Sequence, residues 1–284
     1  MYILRRPKTD ITLKISEGPL YPGSTVNVEV TVSAEENFSI RSGSVELICT
    51  EVYWQMVHTG KSVHAQRSKH KLLKVKEQFV NNTKFSLGTY IKKQVNLVIP
   101  DGLPPTVIGK TVNIGWQLKA SLNVIKMRDI HEQIELAVQP IATAIPVFGE
   151  SYSDPSNKAS SSSDEGELTL FLKSELGTGG ETLRGSLEFR VGKDISAREI
   201  RMELEVKESA GVKSSKTIAD TVMLAEQTLL ASGHYRKWPF ELRIPDEPPP
   251  TVKTYNSSVI WLVKGIIDKP WKRDFSVIYP IQIY

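Results

Sequence analysis

The most distinctive chemistry in the sequence is a basic run between His58 and Lys76, with no acidic residue before Glu77. Its cationic members are Lys61, Arg67, Lys69, Lys71, Lys74 and Lys76. Clustered ammonium and guanidinium groups attract anions, so the run is a candidate binding face for an anionic lipid or a phosphopeptide. A solvated edge strand also carries lysines, which discourage pairing between sheets, and this simpler alternative stays open.

The geometry of an extended strand decides which of these side chains act together. Side chains of a strand point alternately to opposite faces. Lys69 and Lys71 therefore share a face, as do Lys74 and Lys76, while Leu73 would turn to the core. At least one lysine pair is expected to act as a unit. The matching stretch of the second half is less charged, with Lys213, Lys216, Asp220 and Glu226.

Other residues that could carry chemistry are too scattered to form a catalytic or metal site. His58, His64 and His70 stand six residues apart, which places neighbours roughly 20 Å apart along a strand, so a surface loop explains them better. The single cysteine, Cys49, follows apolar residues and is expected to be a buried hydrophobe. We expect no enzyme activity, no metal and no cofactor.

The composition is that of an ordinary globular protein, with 40% hydrophobic and 24% charged residues in 284. A net charge of +4 is mild, so no specific nucleic-acid partner is expected. We find no run approaching the length of a membrane-spanning helix and no secretory signal. The sequence therefore predicts a cytoplasmic protein that does not cross a membrane.

The elements that would position these residues are β-strands. Apolar and polar residues alternate with a period of two in most segments, which is typical of strands with one buried face. Examples begin at Ile11, Val26, Val45, Leu168 and Ile200. The stretch 217–230 could also be helical, and we favour a strand there. The pattern predicts an all-β protein built of antiparallel sandwiches.

An internal repeat organises the chain. The segment Ile99–Val107 recurs as Ile244–Val252, 145 residues later, and the offset also matches Trp116 with Trp261. Proline fixes φ and lacks an N–H, so each block ends one strand and directs the chain to the next. The expected structural residues are Pro104, Pro105, Trp116, Pro249, Pro250 and Trp261. The tryptophans are expected to be core anchors rather than a ligand platform.

The repeat divides the chain into two domains of one kind. We predict a first sandwich over residues 1–150, a serine-rich linker over 151–166 and a second sandwich over 167–284. The linker is polar and has nothing to pack, so it is predicted to be a flexible spacer. A phosphorylated serine run is the alternative.

The late proline block in each half and Pro22-Gly23 near the start are similar to motifs of the arrestin-fold superfamily. That superfamily includes arrestins, arrestin-domain trafficking adaptors, retromer subunits and bacterial sporulation-control proteins. The residues that carry the resemblance are Pro100, Pro104, Pro105, Pro245, Pro249 and Pro250. The resemblance implies two tandem immunoglobulin-like β-sandwiches and a non-enzymatic intracellular scaffold or adaptor that binds a protein partner in trafficking or signalling. A structural or surface-associated tandem module is the alternative, and an enzyme a distant third.

Overall fold

A computed structural model describes residues 5–60, 62–141 and 157–284 of the protein. By their contacts the residues fall into two units, with unit 1 formed by Met1–Ile108 and Asn113–Ile141 and unit 2 by Gly109–Val112 and Ala142–Tyr284. Every helix or strand in the described part of the chain is a β-strand. The all-β prediction is therefore confirmed.

Unit 1 is built from two antiparallel sheets. Its strands in the described residues are β1 (Thr9–Ile15), β2 (Thr25–Ala34), β3 (Phe38–Thr59), β4 (Ser62–Phe85), β5 (Tyr90–Val98), β6 (Val107–Ile108), β7 (Asn113–Val124) and β8 (Ile130–Leu136). One sheet has the order β1-β2-β5. The other has the order β4-β3-β7-β6, and β8 also pairs with β7.

The core of unit 1 follows from the alternation seen in the sequence. On β2, Val26, Val28, Val30 and Val32 are fully buried, while the residues between them remain partly or fully exposed. A one-residue slip would turn this apolar set to solvent, so burial fixes the strand register.

Unit 2 has the same kind of architecture with two additional edge strands in the described residues. Its strands in the described residues are β9 (Lys158–Ser163), β10 (Gly166–Leu172), β11 (Leu176–Gly177), β12 (Thr182–Val191), β13 (Ile195–Ala210), β14 (Lys213–Leu230), β15 (Tyr235–Arg243), β16 (Val252–Lys253), β17 (Ser257–Asp268) and β18 (Phe275–Ile283). The sheet orders are β15-β12-β10-β9 and β11-β18-β17-β13-β14, with β16 also on β17. The strand predicted over 217–230 is confirmed by β14.

The two units repeat the same local geometry at the offset found in the sequence. Trp116 Nε1 donates to the carbonyl of Pro104 at 3.0 Å, and Trp261 Nε1 donates to that of Pro249 at 2.9 Å. Both tryptophans are 1% exposed, which supports the prediction that they are core anchors. The duplication itself stays a prediction that this matched geometry supports.

The structure corrects the prediction that the serine-rich stretch is a spacer. Residues 151–156 lie outside the described part of the chain, but Lys158–Ser163 form β9, which pairs antiparallel with β10 from Ser163↔Gly166 to Lys158↔Phe171. Backbone N–H and C=O groups make these ladder bonds, so a run without apolar side chains can still complete a sheet. Composition alone could not reveal that pairing.

Candidate anion-binding face

The basic run lies on β4, which forms a long antiparallel hairpin with β3 and occupies the edge of its sheet. Lys61 lies outside the described residues. The remaining five cations are called the cation row. Its members are Arg67, Lys69, Lys71, Lys74 and Lys76. All five are exposed.

A β-bulge decides where the cation row points. Cys49 pairs with Leu73 and the next residue, Thr50, pairs with Lys71, so Leu72 is the extra residue of β4. A bulge of this kind shifts the alternation of one strand by one residue. Lys69 and Lys71 therefore come onto the same face as the lysines on the other side of the bulge.

The cross-strand partners confirm this shared face. They are Trp54 for Arg67, Val52 for Lys69, Thr50 for Lys71, Ile48 for Lys74 and Glu46 for Lys76. These partners are alternate residues of β3, and cross-strand partners lie on one face of a sheet. The sequence predicted separate lysine pairs, whereas the structure brings all five cations together. Leu73 pairs with the buried Cys49 on the opposite face, as predicted, and Val75 pairs there with the buried Leu47.

Most of the charge on the cation row is not neutralised locally. Lys74 Nζ lies 3.0 Å from Glu46 Oε1. Among the described residues, no carboxylate forms an ion pair with Arg67, Lys69, Lys71 or Lys76. Alternate residues of a strand are about 7 Å apart, so the row is a linear series of cations.

A shallow groove of about 450 Å³ runs beside the row. One wall carries Arg67, Lys69 and Lys71, and Gln117 and Glu135 line it from β7 and β8. The groove therefore offers the side-chain amide of Gln117 for hydrogen bonding beside the cations. Glu135 would disfavour an anion at its own end.

His131 lies on the same sheet, where its charged form is disfavoured. Its Nδ1 lies 2.9 Å from Ser121 Oγ. Partial burial, and then the neighbouring Lys119, lower the pKa of His131 because both disfavour the imidazolium form.

The equivalent edge strand of unit 2, β14, does not carry such a row. There Glu205 is buried, and its carboxylate lies 2.6 Å from Lys216 Nζ and 3.3 Å from Lys207 Nζ. Burial works to raise the pKa of Glu205, but the two lysines outweigh it and hold that pKa below its usual value. The carboxylate neutralises part of the lysine charge, so unit 2 is an internal control for unit 1.

A second buried carboxylate in unit 2, Glu208, binds backbone groups. Its Oε1 accepts the N–H of Lys110 at 3.0 Å, and its Oε2 accepts those of Thr111 and Val112 at 2.7 and 2.9 Å. Charge-assisted bonds to backbone donors are among the stronger hydrogen bonds in proteins. Glu208 was not among the residues predicted from the sequence. The available signal was a glutamate at a core-facing position of an alternating strand.

The histidines of the hairpin lie on strands, which corrects the prediction of a surface loop. His58 is on β3, and His64 and His70 are on β4. His70 Nδ1 lies 3.0 Å from the buried Glu51 Oε1. Within the described residues, no group of three or more metal-ligating side chains forms a metal site.

Cys49 is fully buried, which confirms its prediction as a core residue. Burial, with a smaller contribution from the Glu51 carboxylate, raises the pKa of the thiol from 9.0 to about 12. We expect iodoacetamide at pH 8 to label Cys49 in urea but not in the native protein, as measured by mass spectrometry. Native labelling as fast as in urea would contradict this burial.

The raised pKa of the Cys49 thiol makes the contribution of this residue to stability depend on pH. Above about pH 9 the unfolded thiol ionises while the folded thiol stays protonated, so ionisation favours the unfolded chain. The contribution is complete below pH 9 and is lost progressively as the pH rises towards 12. A Cys49→Ala variant should lack this component when unfolding free energies are compared across that range.

Comparison with known proteins bears on unit 2. Residues 211–283, about a quarter of the chain, match the family model described as "Arrestin (or S-antigen), N-terminal domain". The match spans β14 to β18. No curated protein matches the chain in sequence. Among the described residues there is no helix with the length and apolar character needed to span a membrane.

The antiparallel sheets and the family match agree with the resemblance carried by the proline blocks. A domain of the arrestin family indicates a protein of the adaptor or scaffold type, a class that binds protein partners. The match over residues 211–283 therefore supports the similarity to the arrestin-fold superfamily.

Proposed function

We propose that the protein is a non-enzymatic cytoplasmic adaptor that binds an anionic segment of a protein partner through the cation row of unit 1. Trafficking and signalling are the settings in which such an adaptor would act. The single observation that carries the proposal is the bulge at Leu72, which places five exposed cations on one face of an edge strand.

The shape of the row favours a chain over a membrane surface as the anionic partner. The five cations follow one strand, and a groove runs beside three of them. A phosphorylated or acidic segment in an extended conformation carries charges in the same linear arrangement. A lipid bilayer is planar and makes no use of the groove.

The test compares phosphopeptides with vesicles containing anionic lipid, at low and physiological salt. We expect a Lys69/Lys71/Lys74/Lys76→Ser variant to bind phosphopeptide about fourfold to several hundredfold more weakly, because each exposed ion pair contributes about 0.2–1 kcal/mol. Binding by the unaltered protein should weaken as salt rises. Isothermal titration calorimetry measures both effects.

The matched control removes the same charge elsewhere. In a Lys14/Lys93/Lys173/Lys272→Ser variant four exposed lysines outside the row are replaced. This variant should keep most of the affinity. Equal losses in the two variants would show that only net charge matters. Binding to vesicles alone would favour a membrane role, and the absence of binding at low salt would leave β4 as a solvated edge.

A further inference from the structure

The serine-rich strand β9 is weakly anchored to the sheet that it completes. Ala159 and Ser161 lie opposite Leu170 and Leu168, both fully buried, so small side chains cover that part of the core. Ser162, on the alternate face, is exposed. Few apolar contacts and an exposed edge are properties of segments that open locally at low cost.

The surroundings of Ser162 are acidic. Its direct cross-strand partner on β10 is Glu167. Asp164 and Glu165 form the turn that follows β9. Lysines already engage both turn carboxylates, because Lys193 Nζ lies 2.6 Å from Asp164 and Lys269 forms a largely buried ion pair with Glu165.

Positive charge near Ser162 is limited and lies beyond an acidic residue. Arg190 of β12 is the cross-strand partner of Glu167 on its other side. Two strand spacings separate Arg190 from Ser162, or about 10 Å, with Glu167 between them. A new negative charge on Ser162 would therefore meet a carboxylate before it met the guanidinium.

We propose that Ser162 is a phosphorylation site and that its phosphate releases β9 from β10. The donor is a nucleoside triphosphate, used by a protein kinase that recognises acidic residues on the C-terminal side of the target serine. Ser162 Oγ bonds to the γ-phosphorus and loses its proton, and the bond from that phosphorus to the bridging oxygen breaks. A nucleoside diphosphate leaves.

The physical reason for release is like-charge repulsion across the strand pair. A phosphoserine carries a charge of about −1.5 to −2 at pH 7, and like charges directly opposite one another destabilise a sheet. Separation of β9 would leave the backbone edge of β10 unpaired and would uncover Leu168 and Leu170. An edge of this kind accepts an added strand from a partner.

Unit 1 shows why release of β9 need not unfold unit 2. Its strand β1 holds the edge position of a three-stranded sheet whose order is β1-β2-β5. The corresponding sheet of unit 2 has β10 in that position and β9 beyond it. The same sandwich architecture therefore stands without a strand equivalent to β9 in the described part of unit 1.

The experiment uses the full chain and reads hydrogen exchange of the β9 amides by mass spectrometry. We expect Ser162→Asp to accelerate exchange at least tenfold relative to the size-matched Ser162→Asn. Ser162→Lys should not accelerate exchange, because a lysine attracts Glu167. The double change Ser162→Asp with Glu167→Lys should restore protection. The proposal would be overturned if Ser162→Asp and Ser162→Lys accelerated exchange of the β9 amides equally, or if Ser162→Asp left that exchange unchanged.

The modification itself is tested on the native protein with an acidic-directed kinase and ATP. Tandem mass spectrometry should locate phosphate on Ser162, and the phosphorylated chain should exchange its β9 amides at least tenfold faster than the untreated chain. A chain that gains no phosphate on Ser162, or that keeps its protection when phosphorylated there, would contradict the proposal. Neither result bears on binding through the cation row, which is measured separately.

Discussion

Replacement of Trp261 by alanine is expected to lower the free energy of unfolding of unit 2 by about 3–5 kcal/mol. The side chain is 1% exposed and lies on β17, with Val206 and Ile281 as cross-strand partners. Alanine would leave a cavity in a core that cannot fully collapse. It would also remove the donor to the Pro249 carbonyl, which Trp261 Nε1 contacts at 2.9 Å.

Two further variants separate these contributions. Trp261→Phe keeps much of the ring and loses the donor, so we expect a smaller loss, of about 1–3 kcal/mol. Trp116→Ala removes the matched residue of unit 1 and should destabilise unit 1 to a similar extent. Hydrogen exchange resolved by unit measures each effect. A loss below about 1 kcal/mol for Trp261→Ala would show that the side chain is not a core anchor.

Loss of the Glu208 carboxylate is the second large expected effect. Glu208→Ala should destabilise unit 2 by about 3 kcal/mol, because three backbone N–H groups lose their acceptor at a cost of about 1 kcal/mol or more each. The three donors are the N–H groups of Lys110, Thr111 and Val112. The free energy is measured by urea unfolding, followed through hydrogen exchange of unit 2 amides.

A glycine and an exposed glutamate provide the comparisons. A Cβ added at Gly109 would overlap Glu208 Oε2, so Gly109→Ala should displace the carboxylate and destabilise unit 2 in the same direction. Glu226 is exposed on β14, and Glu226→Ala removes the same charge without a buried contact. We expect that control to change stability by less than about 0.5 kcal/mol. If Glu208→Ala and Glu226→Ala changed stability equally, the hydrogen bonds from the three backbone N–H groups to Glu208 would not be the source of the effect.

Much of the fold could be predicted from the sequence because its signals are local. The alternation of apolar and polar residues along β2 predicts that Val26 to Val32 supply its buried face. The repeat is marked by a proline block that precedes the strand of Trp116 and again the strand of Trp261. The tryptophan and the proline carbonyl that it contacts are 12 residues apart in both units. Alternation and proline blocks can be recognised in a sequence because they depend on the hydrophobicity of each side chain and on the backbone restriction of proline, both of which follow from residue type.

The candidate site could be predicted only in part. The basic run identified the cation row, but strict alternation divided its lysines between faces. The bulge at Leu72 removes that division, and it depends on the register between β3 and β4 rather than on any residue type.

The remaining features required the tertiary structure because their partners are distant in sequence or carry no pattern. Glu208 and the backbone donors that it binds are 96 to 98 residues apart. The serine-rich strand β9 pairs with β10 through backbone hydrogen bonds, and its amino-acid composition does not predict that pairing. By itself the sequence determined the strands and the repeated proline block, and it indicated the resemblance to the arrestin-fold superfamily, since alternation and proline act along the chain. Only the folded chain decided which charges meet and which edge is covered, because contacts across strands depend on register.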